Sequence, residues 1–339
     1  MVRMKKTILW MAALTLLVIA PVQAADTVKI KLATLAPKGT AWYDALMKMK
    51  QEWSQLSAGA VELVVYPGGV GGEESDYIRK MRVGQLQAAS ITTYGMDKVD
   101  KAIRAFSMPK TFANYEELDY VLGKLRPDLE KVLEQNGFVT LHWTDAGWLH
   151  FFSTKPVKTP EDLKSMKIAT SPDVPEANDL WKAMGYQAVP LANSDILLGL
   201  QNGLVGAVSS APLFALAQQW FGVAKYMTKI SWVPVFGGTI VDKKAWDKIS
   251  PDVQSKLRAS AERIGQELKL VVRSDYTKTI EAMQKYGMTV VEVDPASDKA
   301  WDGFVAKGEQ LAGGNIFDPA WLAKIRKTRD EYRATKGKK

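Results

Sequence analysis

The sequence predicts an α/β protein with two domains, each a mixed β-sheet flanked by helices, and one long helix that spans both domains. Three observations support this fold class. Strand-like and helix-like segments alternate in the N-terminal half, the alternation restarts near Lys167, and a helical stretch runs from Pro251 to about Tyr286. A chain of 339 residues that is 47% hydrophobic is long enough to bury the cores of two ordinary domains.

The first series of elements alternates strand and helix. In chain order, strands are predicted at 28–32, 61–66 and 88–92, and helices at 41–55 and 74–83. Such alternation is typical of a parallel sheet covered by helices. A helix at 115–136 and a strand at 139–143 follow.

The second series repeats this pattern. Strands are predicted at 167–169, 187–189 and 205–209, with helices at 175–184 and from Asn193 or Ser194 to about 202. We therefore assign residues 25–148 and 237–275 to a first domain, and 149–236 and 276–339 to a second. Two such sheets leave a ligand cleft where their strands end, and the domains would close over a ligand by hinge motion.

Residues 1–24 are predicted to be a signal peptide. A basic start with Arg3, Lys5 and Lys6 precedes an apolar run from 8 to 20, and small residues precede Ala25. The apolar run is too short for a membrane anchor, which is the competing interpretation. We expect a mature protein in the periplasm, free of disulfides because the chain contains no cysteine.

The distribution of charge argues against a nucleic-acid partner. The formal net charge is +8, and removal of the signal peptide would take three positive charges from it. Lysine and arginine mostly alternate with aspartate and glutamate along helices, which is typical of solvated faces. The basic C-terminal stretch is explained in the same way, since cations complement the carboxyl end of a helix. The oligomeric state stays open.

No arrangement of residues indicates catalysis, a metal site or a cofactor. The chain has two histidines, His142 and His150, and a structural or ligand-contacting role is the better interpretation of both. The glycine-rich segment 68–72 lacks the Lys-Ser/Thr of a phosphate loop, and Asp145 has no carboxylate partner in sequence. Of three hypotheses, two describe binding proteins that differ in their ligand and the third describes an enzyme built on a binding-protein scaffold; the enzyme is the weakest of the three.

Several short motifs occur in an order that resembles one family. They are Ala-Thr-Leu-Ala-Pro-Lys-Gly-Thr at 33–40, Gly-Gly-Glu-Glu at 71–74, Thr-Pro-Glu-Asp-Leu-Lys at 159–164, Val-Pro-Leu at 189–191, Asn-Ser-Asp-Ile at 193–196 and Leu-Gln-Asn-Gly at 200–203. In this order the chain resembles the periplasmic solute receptors of TRAP transporters over nearly its whole mature length. The resemblance implies a two-domain periplasmic binding protein that performs no chemistry and delivers a small organic ligand to the membrane permease subunits.

The chain departs from this family at the position that usually holds a carboxylate. Most members carry an arginine after Lys-Ile for a bidentate contact with an organic acid, and here the residue is Ala169. A second family arginine corresponds to Leu149, and an acidic position corresponds to Gly206. A buried carboxylate without a partner costs several kcal/mol. We therefore expect an uncharged or largely apolar ligand. The alternative is an organic acid held by a relocated cation or by a helix N-terminus.

Apolar walls with a few polar anchors would suit such a ligand. Trp148 and Asn193 are favoured because they flank or match family binding positions, although any single aromatic residue can equally be part of the core. The wider set of aromatic candidates also includes Phe151 and Trp232. The predicted ligand-binding residues are Thr34, Trp42, Glu73, Thr92, Tyr94, Trp148, Ala169, Ser171, Asn193, Ser209, Phe214 and Phe236.

Overall fold

The computed structural model describes residues 27–336, so the predicted signal peptide at 1–24 lies outside the described residues. Nine strands are described: β1 (Val28–Thr34), β2 (Val61–Tyr66), β3 (Ala88–Thr92), β4 (Phe138–Ser153), β5 (Lys167–Thr170), β6 (Gln187–Pro190), β7 (Ala207–Ser210), β8 (Tyr226–Asp242) and β9 (Thr289–Glu292). The helices are α1 (Ala41–Leu56), α2 (Glu74–Arg82), α3 (Thr93–Met96), α4 (Tyr115–Gln135), α5 (Pro175–Ala183), α6 (Ile196–Gln201), α7 (Pro212–Ala217), α8 (Lys243–Trp246), α9 (Pro251–Lys285), α10 (Pro295–Ala312) and α11 (Pro319–Lys336). None of these helices has the length and the apolar content that a membrane crossing requires.

Local sequence signals explain where several helices begin. The Thr40 side chain accepts a hydrogen bond from the Tyr43 N–H at the start of α1, and the Asn114 side chain accepts one from the Glu117 N–H at the start of α4. Both contacts satisfy backbone donors that have no partner inside the helix.

The strands form one hydrogen-bonded sheet in the order β2-β1-β3-β8-β4-β7-β5-β6, with β9 paired to β8. β1 pairs in parallel with β2 and β3, and β5 pairs in parallel with β6 and β7. β4 and β8 run antiparallel to each other and to the flanking strands β7 and β3. The predicted α/β class is therefore confirmed, although the strands form one continuous mixed sheet in place of the two separate sheets that the sequence predicted.

β4 and β8 divide the sheet into two lobes. The first lobe consists of β1 to β3 with residues 138–145 of β4 and 236–242 of β8, and the second of β5 to β7 and β9 with the opposite ends of β4 and β8. The β4–β8 register shifts between Thr140 and His142 within the first lobe, and again between Asp145 and Gly147 and between Leu149 and Phe151 where the lobes meet. Such bulges bend a strand locally, so the last two mark the passage between the lobes.

The long helix α9 contacts both lobes, as predicted. Leu257 and Ile264 pack in the core beneath β1 and α1, whereas Met283 belongs to the core of the second lobe. Midway along α9, Arg273 donates hydrogen bonds to Asp145 of β4 and to Asp119 of α4. This arginine therefore links α9 to β4 beside the bulge between Asp145 and Gly147.

Several features differ from the sequence-based prediction. The strand expected at 139–143 continues to Ser153, and β8 was not predicted at all. In addition, α11 lies on α4: Ile325 packs in the first-lobe core and the Arg333 guanidinium pairs with Glu117. Residues 319–336, which the sequence assigned to the second domain, therefore bury their apolar face against the first lobe, and contact α10 through the ion pair of Arg326 with Glu309. The other predicted boundaries fall inside β4, β8 and α9.

Candidate functional site

A cavity of about 350 Å³ lies between the two lobes. Its walls include Thr34, Thr92, Thr170 and Ser210, which are the last residues of β1, β3, β5 and β7. The carboxyl ends of these parallel strands meet at the cleft, which is where ligands bind in open α/β sheets.

The cavity brings together most of the residues predicted from sequence. Those on its wall are Thr34, Trp42, Glu73, Thr92, Tyr94, Ala169, Ser171, Asn193, Ser209 and Phe214. Trp148 and Phe236 are not on the wall.

Trp148 and Phe236 belong to the core of the first lobe instead. Trp148 is 5% exposed and packs edge-on against Tyr115, with ring centroids 5.7 Å apart. Phe236 is fully buried, with its ring centroid 5.4 Å from that of Phe106. Their chain neighbours Leu149 and Val235 do line the cavity. Side chains alternate between the two faces of a strand, so each prediction missed the cavity by one residue.

Aromatic and aliphatic side chains make up much of the wall. Phe151 contacts Trp232 with ring centroids 5.4 Å apart, and Phe214 packs edge-on against Trp220 at the same separation. Trp181 of α5 also lines the cavity and contacts Phe151. Trp181 and Trp220 were missed from sequence, since a tryptophan on a short helix is equally typical of a core.

Trp42 connects the cavity to the bend in the sheet. Its indole Nε1 donates a hydrogen bond of 3.0 Å to the backbone oxygen of Asp145, beside the β4 bulge between Asp145 and Gly147. Its ring packs against Leu268 and Val272 of α9. A ligand that contacts this ring would therefore contact a side chain that is itself packed against the elements that cross between the lobes.

The charged side chains on the described wall are all carboxylates: Glu73, Glu74 and Asp173. Glu74 was not among the predicted residues, although it starts α2 and is only 4% exposed. It accepts hydrogen bonds from Thr92 N at 2.9 Å, Thr92 Oγ1 at 2.7 Å and Gly95 N at 2.8 Å. Burial raises the pKa of Glu74 to about 7, against the effect of these hydrogen bonds, which lower it.

Gly95 is required for this arrangement. A Cβ at position 95 would lie 2.8 Å from the Cβ of Glu74. The absence of a side chain lets the start of α3 approach the carboxylate closely enough for the Gly95 N–H to donate.

Two pairs of side chains join the lobes across the mouth of the cavity, and we call them the cleft latch. The Glu73 carboxylate accepts from Asn193 N at 3.0 Å and from Asn193 Nδ2 at 2.7 Å. The Ser75 hydroxyl donates to Asp173 Oδ1 at 2.6 Å. Glu73 and Ser75 lie at the start of α2 in the first lobe, and their partners lie in the second. Glu73 and Asn193, both predicted to contact ligand, thus contact each other.

Five buried polar atoms of wall residues have no hydrogen-bond partner within the described part of the chain. They are Ser90 Oγ, Thr170 Oγ1, Asn178 Oδ1, Ser209 Oγ and Trp220 Nε1. Buried polar atoms in proteins are nearly always paired. These five atoms therefore mark where a ligand, or water that accompanies it, would form hydrogen bonds.

The two histidines lie outside the cavity. His150 Nε2 is 2.7 Å from the Tyr276 hydroxyl and Nδ1 is 3.2 Å from the Thr228 carbonyl oxygen, while His142 Nε2 contacts the Thr239 hydroxyl. Burial lowers the pKa of each ring to about 4. Of the two roles that the sequence left open, the structural one applies to both. Across residues 27–336 no three His, Asp or Glu side chains are grouped so that they could hold a metal ion.

Comparison with known proteins yields one family match. The family model described as bacterial extracellular solute-binding protein, family 7 (DctP), matches residues 32–307. The C4-dicarboxylate-binding periplasmic protein DctP of Rhodobacter capsulatus is 24% identical over 283 residues, which is 82% of this chain and 84% of the relative. A solute-binding protein of Roseobacter denitrificans is 25% identical over 278 residues, 81% of this chain and 85% of the relative.

Solved structures of TRAP periplasmic solute-binding proteins share the fold. One from Xanthobacter autotrophicus has a TM-score of 0.80 at 21% identity, covers 89% of this chain and 99% of its own, and contains β-D-galacturonate. The structure of the Roseobacter denitrificans relative has a TM-score of 0.79 at 21% identity, covers 90% of this chain and 99% of its own, and contains L-galactonate. Both ligands are organic acids, so the comparisons favour the organic-acid alternative over the uncharged ligand that Ala169 led us to expect.

Proposed function

Since the chain belongs to the bacterial extracellular solute-binding protein family 7, which confirms the resemblance to TRAP solute receptors, we propose that it binds one small organic molecule between its lobes and delivers it to membrane permease subunits. The family is extracytoplasmic, so the receptor works in the periplasm. We assign it no reaction, because the polar groups of the cavity serve to hold a ligand rather than to transform it.

The charge of the cavity wall carries our proposal for the ligand. Within the described residues the wall contains three carboxylates and no lysine, arginine or histidine. The carboxylate of an acid bound against Ala169 would lose its hydration and find no cation to pair with, which costs several kcal/mol of binding free energy. The geometry therefore favours an uncharged ligand with an apolar body.

The polar groups of the wall suit an uncharged ligand as well. Thr170 and Ser209 offer hydroxyl donors, and Asn178 offers an amide oxygen whose amide nitrogen already donates to the Ser171 carbonyl at 3.1 Å. A hydroxyl or carbonyl group on the ligand can pair with these atoms without any net charge. We propose that these side chains orient the ligand while the tryptophan and phenylalanine rings cover its apolar part.

An organic acid is the second candidate, and the comparisons support it better than the first. The relatives above whose names or structures give a ligand take dicarboxylates, β-D-galacturonate or L-galactonate. In this chain such an acid would have to be held mainly by wall hydroxyls, since the described wall carries no lysine or arginine and the Phe214 N–H at the start of α7 already donates to the Ala211 carbonyl. The two candidates differ in one property, the charge of the ligand.

Identification of a co-purifying molecule tests the proposal directly. The protein would be isolated from its own periplasm, measured by native mass spectrometry, and extracted under denaturing conditions to identify any released compound. Calorimetric titration with matched pairs follows: D-galacturonate against its methyl ester, and octanoate against 1-octanol. We expect the uncharged member of at least one pair to bind tenfold or more tightly than the acid. A released carboxylate, or tighter binding of both acids, would establish the second candidate.

A further inference from the structure

A second chamber of about 160 Å³ lies beside the main cavity. The two share five wall residues: Tyr94, Val174, Ala177, Trp181 and Trp232. The chamber and the cavity are therefore adjacent, and these five residues lie between them. We call it the side chamber.

The far wall of the side chamber is apolar. Phe304 and Gly308 of α10 and the segment with Ile316 and Phe317 close it on the side away from the cavity. Met184 at the end of α5 lies opposite Gly308, with its sulfur 3.3 Å from the position that a Cβ on Gly308 would take. A chain of methylene groups would find the same surroundings here as in the main cavity.

Two buried polar atoms on the side-chamber wall, Arg104 Nη1 and Asp97 Oδ1, lack a hydrogen-bond partner within the described chain. Arg104 is 6% exposed, and its Nε donates to Asp97 Oδ2 at 2.6 Å. Nη1 lies 3.7 Å from Glu176 Oε2, which is beyond hydrogen-bond distance and is itself unpaired among the described residues. Buried polar atoms without partners are costly, so a hydroxyl group placed in the chamber, which can accept from Nη1, would be stabilised.

The charges around Arg104 favour an uncharged acceptor. Asp97 and Glu176 face the guanidinium, and Lys98 lies 3.7 Å from Asp97. Glu309 also lines the chamber, and Arg326 pairs with it at 2.7 Å. These three cations and three carboxylates already balance, so a further carboxylate would add an unmatched negative charge. A hydroxyl or carbonyl oxygen can accept from Nη1 without disturbing this balance.

We propose that the side chamber is a second subsite, which receives the far end of an elongated ligand and pairs its uncharged terminal oxygen with Arg104 Nη1. The ligand class is then a linear amphipathic molecule whose apolar chain passes between Tyr94 and Trp181. This inference rests on the proposed function and specifies the length and the terminal group of its ligand.

Straight-chain 1-alkanols of four to twelve carbons provide the probe, with calorimetric dissociation constants as the readout. Each added methylene that is buried should tighten binding about fourfold, from about 0.8 kcal/mol per group. In Gly308→Leu the new side chain would fill the chamber, so the increase should stop at a shorter chain, and the longest alkanols should bind at least tenfold more weakly than in the wild type. The shortest alkanols should bind equally in both.

Gly303→Leu is the matched control, since it lies on the same helix and a Cβ there would have open space around it. Both changes replace glycine by a better helix former, but Gly308 is buried against Met184 whereas Gly303 is exposed, so the thermal midpoint of each variant is measured to confirm that Gly308→Leu remains folded. If binding stopped improving at the same chain length in the wild type and in Gly308→Leu, the side chamber would not be a subsite, while the proposed binding of an apolar ligand in the main cavity would stand. Tighter binding of alkanoates than of alkanols of equal length would overturn the uncharged terminus. If no alkanol bound, the inference would fall together with the apolar ligand of the proposed function.

Discussion

Removing one side of the cleft latch should shift the receptor toward its open form. In Asn193→Ala the 2.7 Å hydrogen bond from Asn193 Nδ2 to the Glu73 carboxylate is lost, while the 3.0 Å bond from the Asn193 backbone N–H can remain. A hydrogen bond to a charged group contributes about 1.5–3 kcal/mol, and partial exposure to water reduces this contact to about 1–2 kcal/mol. The ratio of closed to open receptor should therefore fall about 5- to 30-fold, and the ligand dissociation constant should rise by at most the same factor.

Fluorescence energy transfer between one dye on each lobe measures closure. The chain contains no cysteine, so two exposed cysteines can be introduced and labelled without side reactions. Ser194→Ala is the control, because the Ser194 hydroxyl contacts only its neighbour Asp195 and nothing across the cleft. The calorimetric dissociation constant should rise in Asn193→Ala alone.

A double-mutant cycle with Glu73→Ala separates the pair from its surroundings. If Glu73 and Asn193 stabilise the closed form through their contact, the cycle should give a coupling energy of about 1–2 kcal/mol. Additive effects, or an equal loss of closure in Ser194→Ala, would refute the reasoning.

Three further outcomes follow from the structure. Ala169→Arg should improve D-galacturonate binding at least tenfold by supplying a charge-assisted contact, and Ala169→Met should not; calorimetry with no gain for the arginine variant would show that position 169 does not face the ligand. Trp148→Ala should lower the free energy of unfolding by about 3–5 kcal/mol because the ring is in the core, and thermal melting with an unchanged midpoint would contradict this. The buried His150, whose pKa falls from 6.5 to about 4, makes the unfolded chain bind more protons between those pH values, so stability should fall as pH falls through this range. Between pH 7 and pH 4, the free energy of unfolding measured by urea titration should fall by about 3 kcal/mol less in His150→Gln than in the wild type. Equal decreases in the two proteins would contradict the lowered pKa of His150. Glu74, whose raised pKa acts in the opposite direction, is present in both proteins, so its contribution cancels in the comparison.

Helices that begin at a recognisable capping residue or proline were predictable from the sequence. The α1 and α4 helices begin at capping residues, and α9 begins with Ser250 followed by Pro251, all of which can be recognised without knowledge of the fold. The strand β8 was not predictable in this way, because it contains Pro234 and the pair Gly237 and Gly238, which normally argue against a strand. A Cβ at Gly237 would lie 2.1 Å from the Ile91 oxygen, and at Gly238 1.9 Å from the His142 oxygen. These glycines therefore admit the close approach of β3 and β4, a property that depends on the finished sheet.

The candidate site was predictable where a residue follows a strand and unpredictable where it depends on the side of a strand. Thr34, Thr92 and Ser209 lie at strand ends, and the strand pattern alone brings them to the cleft. Trp148 and Phe236 were wrongly placed at the ligand, since the strand before Trp148 was predicted to end at 143 and β8 was not predicted, so the alternation of side chains along these strands could not be used. The contact of Glu73 with Asn193 joins residues 120 positions apart, and nothing in either segment indicates it.

The passage of β4, β8 and α9 through both lobes has a consequence for how the protein loses its structure. Each lobe takes its strands from separated parts of the chain, so no single cut yields a lobe with a complete sheet. A lobe expressed alone would expose the edges of strands that its partner normally covers. Because β4 and β8 pair with each other through both lobes, the melting of one lobe removes strand pairing that continues into the other. We therefore expect one cooperative transition on heating, in place of the two separate steps typical of domains joined by a flexible linker.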